Sequence, residues 1–122
     1  MEDGYPKDYS LMYKNTVKNY FNNTSKIIAE CNIFEKQIIS FAKSIYKRKD
    51  KKKILVVGNG GSSADADHFV GELTCTYSSR KRSAHSAISL SSSSPGLTAW
   101  GNDFGFETYF ERQIKAHGRR GD

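Results

Sequence analysis

Ile54-Leu55-Val56-Val57-Gly58-Asn59-Gly60-Gly61-Ser62-Ser63-Ala64-Asp65-Ala66-Asp67-His68-Phe69-Val70-Gly71-Glu72-Leu73 decides the architecture of this chain. Four branched apolar residues, Ile54 to Val57, stand between a basic run and a set of glycines, the pattern of a parallel strand buried on both faces. The chain must then turn sharply. Gly58, Gly60 and Gly61 admit positive φ and close approach to bare backbone, and Asn59 is the side-chained residue that best tolerates such a turn. Ser62 is the expected N-cap, with Asp65 three residues on as the weaker partner of a capping box, so a helix is predicted from about Ser63. Its first-turn amides and positive dipole end then face the glycine turn, an arrangement suited to phosphate or another oxygen-rich group.

On that helix Ala66, Phe69, Val70 and Leu73 form the apolar stripe, while Asp65, His68 and Glu72 follow an i, i+3, i+7 course on another face. His68 and Glu72 are neighbours one turn apart. An imidazole beside a carboxylate can shuttle protons or offer two lone pairs to a divalent metal. The plain alternative is an exposed, weakly coupled ion pair. Its place behind a glycine turn at the carboxyl end of a strand, where open α/β sheets bind their ligands, favours the functional reading.

Two other glycine loops are excluded. A Walker loop ends in Gly-Lys-Ser/Thr, and here Gly61 is followed by Ser62-Ser63. A dinucleotide fingerprint needs glycine or alanine at position 63 and an acid at the end of the next strand, which instead runs into Ser91-Ser92-Ser93-Ser94.

The segment Val-Val-Gly-Asn-Gly-Gly-Ser-Ser-Ala-Asp-Ala-Asp-His-Phe-Val-Gly-Glu-Leu-Thr, followed by Leu97-Thr98-Ala99-Trp100-Gly101-Asn102-Asp103-Phe104-Gly105-Phe106, resembles the phosphoheptose isomerases, enzymes built on a sugar isomerase (SIS) domain. The resemblance runs from about position 10 to position 122. It implies an SIS-type α/β fold, a three-layer parallel sheet with flanking helices, preceded by an N-terminal two-helix extension and incomplete at its C-terminus. It also implies interconversion of sedoheptulose 7-phosphate and D-glycero-D-manno-heptose 7-phosphate for bacterial surface polysaccharide, by a cytoplasmic homotetramer.

By the same resemblance Asn59, Gly60, Gly61 and Ser62 contact substrate, His68 and Glu72 serve as substrate or metal ligands, and Asn102 with Asp103 contacts the sugar. Glu72 is implied as the catalytic base, with His68 beside it in the catalytic set. The implied cofactor is one zinc ion per subunit, whose remaining ligands this chain does not carry. The second acid–base histidine and a metal-binding glutamine belong to the family's C-terminal half, as does its Ser/Thr-rich phosphate loop. A truncated frame or a fragment is therefore expected, and this chain alone is expected to turn over weakly or not at all. Local departures are Cys75-Thr76 where many members carry Gly-Arg, and a serine run where many carry an acid. The alternative is a non-enzymatic SIS protein, either an adaptor of the DnaA initiator-associating type or a sugar-phosphate sensor.

The remainder agrees with one α/β domain or less. At 122 residues the chain has ordinary single-domain length. Residues 1–50 are assigned to a helical region that mediates oligomerisation, and 51–122 to the first part of the SIS domain. Val17, Phe21, Thr24 and Ile28 recur at helical spacing, and Phe34, Ile38, Phe41 and Ile45 repeat it after a break. Asn32 with Glu35 reads as a capping box for the second helix. The aromatics Tyr13, Tyr20 and Phe21 exceed what one stripe needs, which points to packing against another subunit.

A second strand is expected over 83–90, a short helix over 97–100 stopped by Gly101, a loop bearing Asn102-Asp103, and a helix holding Phe106, Phe110 and Ile114 that Gly118 closes. Two strands with one crossover helix make an isolated fold marginal. The four serines read either as a linker or as hydroxyl donors to phosphate. Cys75 is expected as a buried thiol, and neither it nor Cys31 has the spacing of a zinc or disulfide framework.

A net charge of +6 places nucleic-acid candidates at 47–53 and Arg119-Arg120. That basic run lacks the interleaved aromatics that stack bases, so a solvated helix end is favoured over a nucleic-acid partner. No leader-like segment or membrane span is legible, which places the chain in the cytoplasm.

Overall fold

The structure is a computed structural model that describes residues 9–48, 52–79 and 81–122. The expectations for the first eight residues and for the centre of the basic run, 49–51, fall outside these. The chain divides into two compact units, Met1–Ala42 and Lys43–Asp122.

α1 spans Tyr9–Glu30, and a 3-10 turn over Cys31–Phe34 leads straight into α2, Glu35–Arg48, whose residues from Lys43 onward fall in the second unit. The helical spacing of the apolar residues is borne out. The capping box is not: at the entry to α2 the Glu35 N–H donates to the backbone C=O of Asn32, itself a residue of the 3-10 turn. Continuing 3-10 geometry already satisfies the donors that a capping side chain would otherwise take. The apolar positions remain in solvent within this chain, Val17 at 53% and Ile28 at 67% exposure. Tyr20 and Phe21 stack edge to face at 6.0 Å.

Within the second unit β1, Ile54–Val56, is followed by α3, Gly61–Thr74, which crosses over to β2, Ala87–Ser89. The strands are parallel, with Ile54 opposite Ala87, Leu55 opposite Ile88 and Val56 opposite Ser89. Bonds from Ile54 N–H to Ser86 C=O and from Leu90 N–H to Val56 C=O extend the ladder at both ends. The predicted strand over 83–90 is thus shorter, its first half an irregular approach. β1 is half-buried rather than covered on both faces, and Val57 is 50% exposed. Its α3 side is packed, whereas Leu55, Val57 and Leu90 line an open cavity of about 460 Å³ that Ile114 and Gly118 border.

Next, α4 spans Ser94–Phe104, a 3-10 turn covers Phe106–Thr108 and α5 spans Tyr109–His117. Ser93 caps α4 by accepting from Gly96 N–H, and Pro95 sits in its first turn, where a missing N–H does no harm. An aromatic cluster joins this segment: Trp100 and Phe104 lie 4.5 Å apart, the Trp100 indole N–H donates to Thr108 Oγ1 at 2.9 Å, and Arg112 lies 5.4 Å from the Trp100 ring. Gly118 closes α5 as expected. Among the described residues Ala66, Leu90 and Tyr109 are the buried apolar residues.

The loop after α5 is tied back to the approach to β1. Lys53 Nζ pairs with Asp122 Oδ2 at 2.6 Å, Lys53 N–H donates to Asp122 Oδ1, and Lys52 Nζ donates to Arg120 C=O. Two cations of the basic run therefore serve the fold. Among the described residues no helix is long and apolar enough to cross a membrane.

Candidate functional site

The glycine turn is built differently from the sequence expectation. Gly60, at φ 56°, is the residue that precedes α3, and the helix begins at Gly61, two residues ahead of the expected start. Ser62 is therefore a helical residue and not the cap, and Asp65 takes no part in a capping box. The amides of Ser62 and Ser63 donate to the carbonyls of Asn59 and Gly60, both at 3.0 Å. A glycine in a positive-φ conformation turns the chain so abruptly that backbone bonds replace the serine cap. Gly58 is a second tight point, since a Cβ there would lie 2.0 Å from Ser62 C=O.

On α3 the structure brings together the two residues singled out for chemistry. His68 Nε2 stands 3.3 Å from Glu72 Oε1, one helical turn apart. The two differ in setting: the His68 side chain is 78% exposed and that of Glu72 34%. Glu72 lines a cavity of about 300 Å³ with Phe69, Leu73, Tyr77, Arg82 and His85. Phe69, expected in the buried stripe, is 42% exposed and forms part of this wall.

Arg82 and His85 were not anticipated. The Arg82 guanidinium donates to the carbonyls of Glu72, Leu73 and Ser83, and His85 N–H donates to Leu73 C=O. A cation at the carboxyl end of α3 is the signal that could have been recognised, since the last carbonyls of a helix lack partners and its dipole ends negative there. Cys75, the residue after α3, is exposed rather than buried. α3 ends at that point and turns its cap outward.

Asn102 and Asp103 lie within α4 and not on a loop. Gly101 is helical with open space around it, and the stop comes at Gly105, whose φ is 89°. Both residues are exposed, and Asn102 Nδ2 donates to Asp103 Oδ1 at 2.8 Å. α3 packs on the two strands, whereas α4 packs on the second 3-10 turn and α5. The two pairs of site residues are thus carried by separate helices.

The serine run is structured, which overturns the linker reading. Ser91 bonds to both backbone groups of Gly58, Ser92 Oγ donates to Ser89 C=O and Ser93 caps α4. Three of the four hydroxyls are thereby engaged within the chain. Among the described residues no group of three or more His, Cys, Asp or Glu side chains comes together to hold a metal. His68 and Glu72 offer two donors, fewer than the four that a structural zinc takes or the three of a catalytic one.

No family model matches the chain. It is 43% identical over 115 residues to the phosphoheptose isomerase of Buchnera aphidicola, a match covering 91% of this chain and 58% of that protein. The Aquifex aeolicus phosphoheptose isomerase is 41% identical over 108 residues, 87% of this chain and 56% of that one. Among solved structures, phosphoheptose isomerase GmhA from Neisseria gonorrhoeae superposes with a TM-score of 0.81 at 33% identity, covering 90% of this chain and 57% of that chain. A phosphoheptose isomerase from Francisella tularensis gives a TM-score of 0.80 at 29% identity, with 88% and 56% covered. The chain thus spans a little over half the length of the relatives it matches. In sequence and in SIS-type fold, the chain is similar to a little over half of each of these phosphoheptose isomerases.

Proposed function

We propose that this chain carries the base-bearing part of an aldose–ketose isomerase acting on sedoheptulose 7-phosphate and D-glycero-D-manno-heptose 7-phosphate. The observation that carries this reading is the His68–Glu72 contact on the helix behind the glycine turn, in a chain so similar to phosphoheptose isomerases. In the ketose-to-aldose direction, Glu72 removes a proton from the hydroxymethyl carbon next to the carbonyl. The C–H electron pair becomes the enediol double bond and the carbonyl oxygen takes up a proton. Return of a proton to the former carbonyl carbon, with loss of one from the neighbouring hydroxyl, gives the aldose. A partly buried carboxylate on a helix is a competent base for the first step, and His68 can orient it or exchange protons with the sugar oxygens.

The turn 59–61, Ser62, Asn102 and Asp103 are assigned to sugar and phosphate contacts. Zinc, which the family resemblance implies, would take two of its ligands from His68 and Glu72 and the rest from outside the described residues. A homotetramer in the cytoplasm, supplying heptose to surface polysaccharide including lipopolysaccharide or capsule, completes the proposal. The apolar positions of α1 and α2 that stand in solvent support contact with further copies.

The test is hydrogen exchange. Pure protein is mixed with sedoheptulose 7-phosphate in deuterated water, and deuterium at the hydroxymethyl carbon is followed by NMR. Exchange, however slow beside full turnover, is expected of the wild type and at least roughly a hundredfold less of Glu72→Gln, in line with loss of a general base. Binding with no exchange in either protein would favour a sensor or adaptor.

A further inference from the structure

We propose that Ser91 is a positioning residue whose hydroxyl fixes the Gly58 peptide and, through it, the ligand turn 59–61. The inference rests on the proposed sugar-phosphate site for its functional consequence, and on local geometry for the rest. The parallel ladder advances in even, slanted steps, from Ile54 N–H to Ser86 C=O through to Leu90 N–H to Val56 C=O. The next step would carry Gly58 N–H to the Leu90 carbonyl. Instead Gly58 N–H donates to Ser91 Oγ at 3.2 Å, and the same hydroxyl donates to Gly58 C=O at 2.7 Å. One side chain, only 7% exposed, thereby satisfies both backbone groups of a single glycine at the point where the sheet gives way to the turn.

Gly58 is closely approached by the backbone of α3. The first turn of α3 presses on it so closely that a Cβ would meet Ser62 C=O at 2.0 Å. Displacement of the Gly58 peptide must therefore be passed to Asn59, Gly60 and the start of α3. Both bonds of the Ser91 hydroxyl go to this peptide, so the role assigned to it is exerted through Gly58. A hydroxyl is required because the partner is one donor and one acceptor on the same residue, which only a group able to give and accept at once can serve.

Amide exchange on ¹⁵N-labelled protein tests the latch, and titration with sedoheptulose 7-phosphate tests its consequence. In Ser91→Ala the Gly58 amide is expected to exchange at least roughly tenfold faster while Leu90, bonded to Val56, stays within about twofold; Ser91→Thr restores Gly58. The same Ala variant is expected to bind the sugar phosphate at least roughly tenfold more weakly, with Thr close to wild type. Unchanged Gly58 exchange in Ser91→Ala overturns the proposal, as does loss of protection at Gly58 and Leu90 together without rescue by Thr. Should the Ala variant fail to fold, Thr and the equally shaped Val decide: equal Gly58 exchange in both also overturns it. A wild type that binds no sugar phosphate sinks the proposed function and leaves the latch to be judged on the Gly58 amide.

Discussion

Side chains at two places illustrate how strongly burial and partners decide what a charge does. Glu72 and His68 form an i, i+4 contact that was legible from spacing alone, because a helix puts such residues on one face. What spacing does not reveal is that Glu72 lies against an apolar cavity while His68 is mostly in solvent, since that depends on the segment that folds over the end of α3. Asp122 shows the opposite case. Its carboxylate, 6% exposed, is held down to about 2 from the ordinary 3.8, first by the hydrogen bond from Lys53 Nζ and then by the backbone amides of Lys53 and Arg119, against the opposing effect of burial. A carboxyl whose folded pKa lies below its unfolded one contributes stability that is present above the unfolded value and disappears as pH falls through the folded one. The stability difference between wild type and Asp122→Asn, followed by urea unfolding, should therefore be constant above about pH 5 and shrink to nothing between about pH 4 and pH 2. A difference independent of pH would show that the carboxylate's charge is not what ties this loop to β1.

Among the elements, α3 depends on its carboxyl end. Arg82 reaches back across the loop to the carbonyls of Glu72 and Leu73, meeting orphan acceptors with a cation where the helix dipole is negative. Arg82→Met keeps the aliphatic stem and removes the fork, and is expected to lower stability by about 1–2 kcal/mol in urea unfolding. It should also quicken amide exchange in the last turn of α3 while leaving α4 and α5 unchanged. Equal stability of the two proteins would mean that the remaining backbone bonds suffice. The elements also mark where sequence patterns stop being informative. The strand, turn and helix of 54–74 and the two N-terminal helices were legible because apolar period and glycine placement agree. The length of α4 was not, because Gly101 looks like a stop. A glycine stop of the left-handed kind needs φ above zero, and that conformation falls on Gly105 instead. Similarly, Ser62 has the better capping chemistry, yet the positive φ of Gly60 moves the helix start ahead of it.

For the molecule as a whole, the balance is between few buried side chains and many exposed apolar ones. Ala66, Leu90 and Tyr109 are the buried apolar residues among the described ones, while Phe21, Ile28, Ile38 and Phe41 are each at least 60% exposed. Two paired strands alone are marginal, so association that covers the helical faces should contribute to stability. The thermal midpoint is accordingly expected to rise by several degrees over a hundredfold increase in protein concentration, as binding linkage requires. Ile28→Asp should flatten that dependence and lower the molar mass measured by light scattering. A midpoint independent of concentration in the wild type would remove the case for self-association. Fold class was legible at this scale because the matching motifs lie in order along one chain, whereas the size of any assembly depends on surfaces that no short motif encodes.

Cys31 and Cys75 are both solvent-accessible, and they are the only two cysteines of the chain. One falls in each compact unit. The native sequence is thereby a ready-made molecular ruler: paired spin labels or dyes report the separation of the halves with no engineered substitution at all.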